Sequence, residues 1–505
     1  MQMNNILIVG AGIAGLAAGI YARKSGFNVT IYESHTGAGG NCTSWRRKGY
    51  LFEGGLHWLT GSGSDKPLNR VWREVGALTE ETRIDRGDPF KICDWSSGTD
   101  GTTVRQRVCL YRDMAKLKKH LCEVSPEDAP RVRALCRDIT RFTAFSVPVM
   151  DIPLLKTTVK APSILGLIKM LPAVVRIPFL SAQSVADYAA RFKHPGIRLL
   201  LSSVVNPNYD ATALLVTLGC LASGDGGYNE GGSVALAANM TRCFEGLGGV
   251  IRYGKKVEKV LVSGGRACGA CIGGETVPAD GVIVTSDTLR AIDTLFDLPV
   301  REGWACTMRA KMYRPGALIM CSFISIGVEA DLSDLPESTA FPLENPFEHA
   351  GRQITSLAYK LYRGSDGYAP KGCSAITLII SGDSYDYWKQ AREQGCYDDR
   401  KRELFEQILA ALEKQLPAIT GKVAVWDVAT PLTYERYSGT WHGSWMTITP
   451  ALSRRVFYPC KPKRIRNCYF AGQRITPPGG TPVAVSTGRT AAQYLCRDFG
   501  VVFTS

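Results

Sequence analysis

A strand, a glycine-rich turn and a helix open this chain, and this combination restricts the fold more than any other feature of the sequence. Residues 6–9 are apolar and predict a short buried strand, and residues 14–24, beginning at Ala14, predict a helix. Gly10, Gly12 and Gly15 lie at the junction. In such a turn the first glycine permits the tight bend, the second lets amides approach a diphosphate, and the third lets the helix pack on the strand. The segment therefore predicts a Rossmann-type dinucleotide site, with the phosphate at the positive helix end.

The residues after the next predicted strand, 27–32, decide which dinucleotide is expected. Glu33 follows that strand and can accept hydrogen bonds from both ribose hydroxyls, whereas a 2′-phosphate would be repelled. Gly39 and Gly40 form a second amide-rich turn of the kind that FAD proteins use near the diphosphate. We therefore predict FAD, with Ser34 and Asn41 as flanking cofactor contacts.

Composition indicates a large globular chain without a metal framework. The chain has 505 residues, of which 45% are hydrophobic, so we expect two or more domains. The first residues lack the basic region of a signal peptide, and we expect a cytoplasmic protein. Sixteen cysteines are scattered along the chain. Cys268 and Cys271 have zinc or redox spacing, but they lie in a predicted strand and lack a second pair, so no metal site is expected.

The positive net charge of the chain is compatible with an anionic partner. Lys and Arg number 60 against 46 Asp and Glu, which gives a net charge of +14. The basic residues are dispersed and no nucleic-acid-binding motif accompanies them, so no nucleic-acid partner is expected. An ordinary solvated surface remains an equal alternative to an anionic lipid contact.

Residues 145–180 form the most apolar basic segment of the chain. Lysines and an arginine are interleaved with five prolines, and these prolines interrupt any helix long enough to span a bilayer. Broken, cationic, apolar helices are typical of a peripheral contact with the inner face of a membrane, or of a lid over an apolar pocket. A buried helix pair in a substrate domain explains the same pattern.

The motifs divide the chain into interleaved parts. Residues 1–70, 224–290 and 465–505 contain the glycine-rich turns and their strands, and they predict a discontinuous FAD-binding domain. Residues 71–223 and 291–464 alternate helices and strands and predict an α+β substrate-binding domain. The predicted fold class is therefore α/β, with a Rossmann-type domain built from separated segments.

Together these motifs resemble the flavoprotein superfamily of phytoene desaturases, carotenoid isomerases and retinol saturases, which shares its fold with amine oxidases. The resemblance spans nearly the whole chain and includes the segment 52–55, the helix entry at 231–233 and the C-terminal glycine-rich block. It implies that Val257 contacts the adenine through its backbone. It also implies that a C-terminal turn lies against the diphosphate and flavin ring, through Gly472, Gly480, Pro482, Val483 and Ala484.

The resemblance further implies a lipophilic isoprenoid, polyene or steroid-like substrate, whose C–C or C=C bonds are desaturated, saturated or isomerised by hydride transfer at flavin N5. Proton transfer must accompany such chemistry, and histidine suits it because its pKa lies near neutrality. His57 and His442 lie in segments expected near the flavin, and Tyr437 is a further candidate within the aromatic run at residues 434–445.

Two other functions remain open at this point. An amine or amino-acid oxidase uses the same fold, although no lysine here stands in a recognised flavin-facing motif. Escort proteins that bind prenylated partners also share the fold, but they lack the complete set of cofactor turns. Only one dinucleotide fingerprint is present, so the electron partner (a nicotinamide, a quinone or oxygen) stays undetermined.

Overall fold

The structure is a computed structural model that describes residues 4–97, 104–147, 149–157, 168–454 and 456–505. Its strands are β1 (Asn5–Val9), β2 (Asn28–Tyr32), β3 (Ser44–Arg47), β4 (Tyr50–Glu53), β5 (Ile84–Asp85), β6 (Lys91–Ser97), β7 (Val104–Leu110), β8 (Tyr228–Asn229), β9 (Val250–Arg252), β10 (Val257–Ser263), β11 (Arg266–Ile272), β12 (Glu275–Pro278), β13 (Gly281–Val284), β14 (Leu318–Val328), β15 (Ser338–His349), β16 (Arg352–Arg363), β17 (Ser374–Gly382), β18 (Val423–Ala429), β19 (Met446–Thr447) and β20 (Cys468–Phe470).

Its helices are α1 (Ile13–Lys24), α2 (Pro67–Glu74), α3 (Met114–Val124), α4 (Ala129–Phe142), α5 (Leu171–Val174), α6 (Ile177–Ser181), α7 (Val185–Ala190), α8 (Pro195–Ser202), α9 (Ala211–Ala222), α10 (Gly232–Gly246), α11 (Thr288–Thr294), α12 (Gly303–Met312), α13 (Tyr385–Glu393), α14 (Tyr397–Gln415), α15 (Pro431–Ser438) and α16 (Thr481–Phe499).

A five-stranded parallel sheet carries the predicted cofactor turns. Its order is β20–β13–β1–β2–β9, so segments from both chain ends and from the middle lie side by side. The strands are almost wholly apolar because helices cover the sheet. The N-terminal helix α1 packs closely on α16: a Cβ on Gly488 would lie 2.4 Å from the Ala14 carbonyl oxygen. The first turn of α1 therefore lies against the second turn of α16.

Residues 257–263 form a strand that lies outside the parallel sheet. It is β10, which pairs with β11 and β12 in a separate antiparallel sheet of three strands. The reason is the short loop between β9 and β10, since a parallel neighbour would need a long crossover connection. Cys268 and Cys271 lie on β11 as expected, and no group of three or more metal-binding side chains occurs among the described residues.

A mixed eight-stranded sheet forms the centre of the predicted substrate-binding part. Its main order is β18–β14–β17–β16–β15–β6–β7, and β19 also pairs with β14. Helices α13 and α14 cover one face with an apolar cluster. The opposite face of the sheet packs against β4. There the Tyr50 ring lies against Gly327, and a Cβ on Gly327 would be 2.6 Å from that ring. This inner face adjoins the cofactor turns.

The apolar segment at residues 145–180 contains the short helices α5 and α6, which expose large side chains. Leu171 is 59% exposed and Phe179 is 64% exposed. In the parts of the chain that the structure describes, no helix is both long and apolar enough to cross a bilayer. Residues 148 and 158–167 of this segment lie outside the described residues.

Candidate functional site

The first glycine-rich turn has the geometry that its sequence predicts. Gly10 has φ of +100°, which side chains disfavour, and its N–H donates to the Tyr32 carbonyl at 2.8 Å. A Cβ on Gly15 would lie 2.0 Å from the Gly10 carbonyl oxygen, so only glycine lets α1 approach the turn. Gly12 caps α1 without a side-chain hydrogen bond. The first amides of α1 are therefore free to meet an anion.

The second glycine-rich turn closes over the first, and the two turns together form the nucleotide cradle. Gly39 donates its N–H to the Ala11 carbonyl at 2.9 Å, and a Cβ on Gly40 would lie 3.3 Å from the Gly12 Cα. Beside them, both amide atoms of Asn41 are buried without a hydrogen-bond partner in the described structure. Buried amides rarely stay unpaired, so this position fits a polar ligand such as the diphosphate of FAD.

Glu33 lies at the end of β2 with its carboxylate turned toward the cradle. The side chain is 8% exposed, and its Oε2 accepts the Ala11 N–H at 2.6 Å. Its Oε1 accepts the His35 N–H at 2.8 Å and the Ser34 hydroxyl at 3.3 Å. The Lys255 N–H donates to the Glu33 carbonyl at 2.8 Å, which places the chain just before Val257 beside this carboxylate. The predicted ribose and adenine contacts are thus brought together.

The C-terminal turn lies at the other end of the cradle. The Gly472 N–H donates to Thr487 Oγ1 on α16 at 3.0 Å, and Gly480 caps α16 without a side-chain hydrogen bond. The residues that begin this helix keep part of their surface accessible: Pro482, Val483 and Ala484. A second set of helix amides therefore faces the same region as those of α1.

Arg474 holds this turn in place, and sequence reasoning missed it. Its guanidinium pairs with Asp287 at 3.1 Å, and each side chain is 1% exposed. It also donates to Thr447 Oγ1 at 3.2 Å and to the Ser444 carbonyl at 3.3 Å. The arginine thereby ties the aromatic run at residues 434–445 to the C-terminal turn. No local signal predicts this contact, because 187 residues separate Arg474 from Asp287.

Glu53 is a second missed residue, although its motif was noticed. It is 1% exposed and accepts the Gly55 N–H at 2.9 Å, the Ser233 N–H at 3.0 Å and the Tyr228 hydroxyl at 2.8 Å. Tyr228 in turn lies 2.8 Å from the Tyr368 hydroxyl. Because Ser233 begins α10, the carboxylate is stabilised by the positive end of that helix. It fixes the end of β4 against α10.

His57 lies in an aromatic enclosure just beyond that motif. Its ring centroid is 5.3 Å from that of Trp445 and 6.4 Å from those of Phe323 and Trp58. Its Nε2 is buried without a partner among the described residues. Burial, and then the nearby charges of Lys360 and Lys91, lower the pKa of His57 to about 3. The imidazole is therefore neutral at pH 7, which differs from the near-neutral pKa expected from the sequence.

The other two predicted catalytic residues lie in different surroundings. His442 stacks on Tyr385 with centroids 4.0 Å apart, has φ of 51°, and has a pKa lowered by burial. Tyr437 is 49% exposed and meets His35 edge-on at 5.2 Å. Neither ring is among the aromatic neighbours of His57 in the described structure. Of the three, only His57 lies in a buried aromatic enclosure.

Two buried lysines beside His57 were also missed. The Lys360 ammonium donates to the His57 carbonyl at 3.3 Å and lies 3.7 Å from the Tyr228 ring centroid. The Lys91 ammonium donates to the Ser203 carbonyl at 2.5 Å. Burial lowers the pKa of both, in Lys91 to about 8. Neither lysine stands in a recognised motif, so sequence reasoning could not single them out.

A parallel sheet with a double glycine cradle, a ribose-directed carboxylate and an aromatic enclosure defines a flavin-dependent oxidoreductase class. The whole-chain comparison agrees. The chain belongs to the family described as flavin containing amine oxidoreductase, whose match covers residues 13–496. The cofactor is FAD and the protein is an FAD-dependent oxidoreductase, as predicted.

Individual relatives are similar over nearly the full length. The phytoene desaturase (lycopene-forming) of Paracoccus sp. (strain N81106 / MBIC 01143) is 24% identical over 97% of each chain. The all-trans-retinol 13,14-reductase of Macaca fascicularis is 23% identical over 93% of this chain and 82% of its own. Among solved structures, cyclohexylamine oxidase from Brevibacterium oxydans superposes with a TM-score of 0.58 at 15% identity, covering 99% of this chain and 100% of that one. That likeness confirms the amine-oxidase type of fold.

Proposed function

We propose that this protein desaturates, saturates or isomerises C–C or C=C bonds of a lipophilic isoprenoid, polyene or steroid-like substrate. The observation that carries the proposal is the enclosure of His57 by Trp445, Phe323 and Trp58. Flat rings around a buried recess suit a long conjugated chain. The names of the relatives, which are a phytoene desaturase and a retinol reductase, support the same substrate class.

The proposal assigns the cofactor contacts to the residues that build the cradle. The diphosphate would lie against the turns that carry Gly10, Gly12, Gly15, Gly39 and Gly40 and at the start of α1, the ribose at Glu33, and the flavin side at the turn from Gly472 to Ala484. Bound FAD supplies hydride transfer, and the chain supplies orientation and electrostatics. We retain the division into a cofactor domain (1–70, 224–290, 465–505) and a substrate domain (71–223, 291–464) as part of this proposal.

His57 has a positioning role in this scheme. A histidine with a pKa of about 3 is neutral at pH 7. Its ring then has no imidazolium proton to donate, so it does not serve as a general acid at that pH. Its neutral ring can still form one hydrogen bond through the unpartnered Nε2 and can present a flat face to a polyene. We infer that His57 orients the substrate and excludes water from the recess.

Anaerobic mixing of the FAD-loaded protein with phytoene, retinol and a panel of amines tests the reaction class. Bleaching of the flavin absorbance by phytoene supports desaturation. Reoxidation of the dithionite-reduced flavin by retinol supports saturation. Bleaching by amines alone, with no response to either polyene in either redox state, would overturn the proposal in favour of an amine oxidase.

We further propose that the protein contacts a membrane surface peripherally, through the segment 145–180. Six side chains of this segment are among the most exposed large apolar residues: Met150, Leu154, Ile168, Leu171, Val175 and Phe179. Leu452, which is 83% exposed, adjoins them because its N–H donates to the Ser181 carbonyl at 2.8 Å. Such a patch of apolar side chains favours insertion into the interface of a bilayer, and the exposed Lys169 suits anionic headgroups.

A further inference from the structure

Lys91 and Lys360 occupy the same register position across the eight-stranded sheet, and both lie on the same face of that sheet. Ser338 on β15 pairs directly with Lys360 on β16. On its other side β15 pairs in parallel with β6, with Thr339 opposite Ile92, so Lys91 is the neighbour of Ser338. Residues paired across strands point to the same face. Two strand spacings therefore separate the lysine Cα atoms by about 10 Å.

Both ammonium groups face the enclosure of His57. Each lies near enough to that ring to lower its pKa, and Lys360 donates to the His57 carbonyl. Both lysines also keep part of their surface accessible although burial lowers their own pKa. A lysine in bulk water would show no such effect. Their accessible surface therefore faces an internal recess, which they share with the rings of Trp58 and Trp445.

Neither lysine has an ion-pair partner in the part of the chain that is described. Lys91 has one backbone acceptor, the Ser203 carbonyl, and burial lowers its pKa to about 8. Lys360 lies over the rings of Tyr228 and Tyr362, and the charges of Glu337, Glu53 and Asp85 favour its ammonium form from beyond ion-pair distance. Burying an ammonium group without a counter-charge is unfavourable, and a bound anion offsets that cost.

We propose that the substrate carries a carboxylate, which binds in this recess between Lys91 and Lys360 while its apolar chain lies against the aromatic rings around His57. Two cations about two strand spacings apart suit one anionic end group. A hydroxyl or hydrocarbon end would leave both ammonium groups without a carboxylate within ion-pair distance. This inference rests on the proposed function, because it takes the recess beside His57 as the place of the substrate.

The test compares acids with the corresponding alcohols on the FAD-loaded protein. Dissociation constants are measured by isothermal titration for retinoate and retinol, and for oleate and oleyl alcohol. Wild type is compared with Lys91→Met, Lys360→Met and the exposed-lysine control Lys371→Met, with flavin content and melting temperature recorded for each. We expect each acid to bind at least tenfold more tightly than its alcohol. We also expect each variant of the two buried lysines, but not Lys371→Met, to reduce that preference at least fivefold.

The outcomes distinguish the carboxylate site from the proposed polyene reaction. Equal binding of acids and alcohols, or an acid preference that both buried-lysine variants retain with normal flavin content, overturns the carboxylate site and leaves the polyene reaction standing. An acid preference lost in Lys91→Met, in a protein whose flavin responds to no polyene, supports the anion site and overturns the proposed reaction. If a methionine variant fails to retain FAD, Lys91→Gln and Lys360→Gln replace it, and the same criteria apply.

Discussion

Arg474 and Asp287 form an ion pair of 3.1 Å in which each side chain is 1% exposed. Asp287 also caps α11 by accepting the Arg290 N–H at 3.2 Å. One carboxylate therefore joins the helix after β13 to the turn after β20, which is the turn expected to meet the flavin. The pair also connects to β19 through Thr447 and to the aromatic run through the Ser444 carbonyl.

Removing one member of this pair should be strongly destabilising. Arg474→Met leaves a buried carboxylate without its cation, and we expect unfolding free energy to fall by about 3–5 kcal/mol in urea denaturation. Arg400→Met is the control, because the Arg400–Glu403 pair is 46% and 54% exposed and should contribute about 0–1 kcal/mol. The double variant Arg474→Met with Asp287→Leu should be more stable than Arg474→Met alone. An equal loss of unfolding free energy in Arg474→Met and Arg400→Met would contradict this account.

A side chain at Gly12 should remove FAD without unfolding the chain. A Cβ at this position meets nothing closer than 3.9 Å, so Gly12→Val fills only the space assigned to the diphosphate. We expect the purified variant to lose at least nine-tenths of its bound flavin, on the order of a tenfold weaker affinity, while its circular dichroism stays that of wild type. Gly246→Val is the matched control, since a Cβ there meets nothing within 4 Å and lies far from the cradle. A yellow Gly12→Val protein would refute the cofactor assignment.

His57 should make the protein less stable in acid. The folded-state pKa of about 3 lies below the ordinary value of 6.5, so the unfolded chain binds the proton first and stability falls as pH drops from 6.5 toward 3. Between pH 7 and pH 5 this amounts to about 2 kcal/mol. His57→Phe should remove this part of the pH dependence, measured as the difference in unfolding free energy between wild type and variant at the two values. A parallel pH dependence in both proteins would show that His57 is not held neutral.

A charge in the exposed apolar segment should weaken membrane binding. Phe179 is 64% exposed on α6, and Phe179→Glu places an anion where headgroups and acyl chains are expected. Sedimentation with vesicles containing anionic lipid should fall at least threefold for this variant. Leu298→Glu serves as control, because Leu298 is 78% exposed but lies outside the segment 145–180. Binding that is unchanged in Phe179→Glu, or equally reduced in both variants, would count against this surface.

Much of the cofactor half follows from short-range sequence. Gly10, Gly12 and Gly15 lie within six residues of one another, and Glu33 follows the next strand, so turn chemistry and strand periodicity predict their arrangement directly. The pairing of β10 with β11 and β12 does not follow from its short apolar run alone, because such a run does not specify which sheet it joins.

The remainder depends on contacts between distant residues. His57, His442 and Tyr437 were grouped by sequence, yet the fold places them in three different surroundings, while Lys91 and Lys360 reach one recess through strand register. The sequence by itself determined the nucleotide cradle, since backbone amides and glycine geometry are local properties. Only the tertiary structure decided which buried charges face His57, because 269 residues of chain separate the two lysines (360 − 91) and sheet pairing alone brings them together.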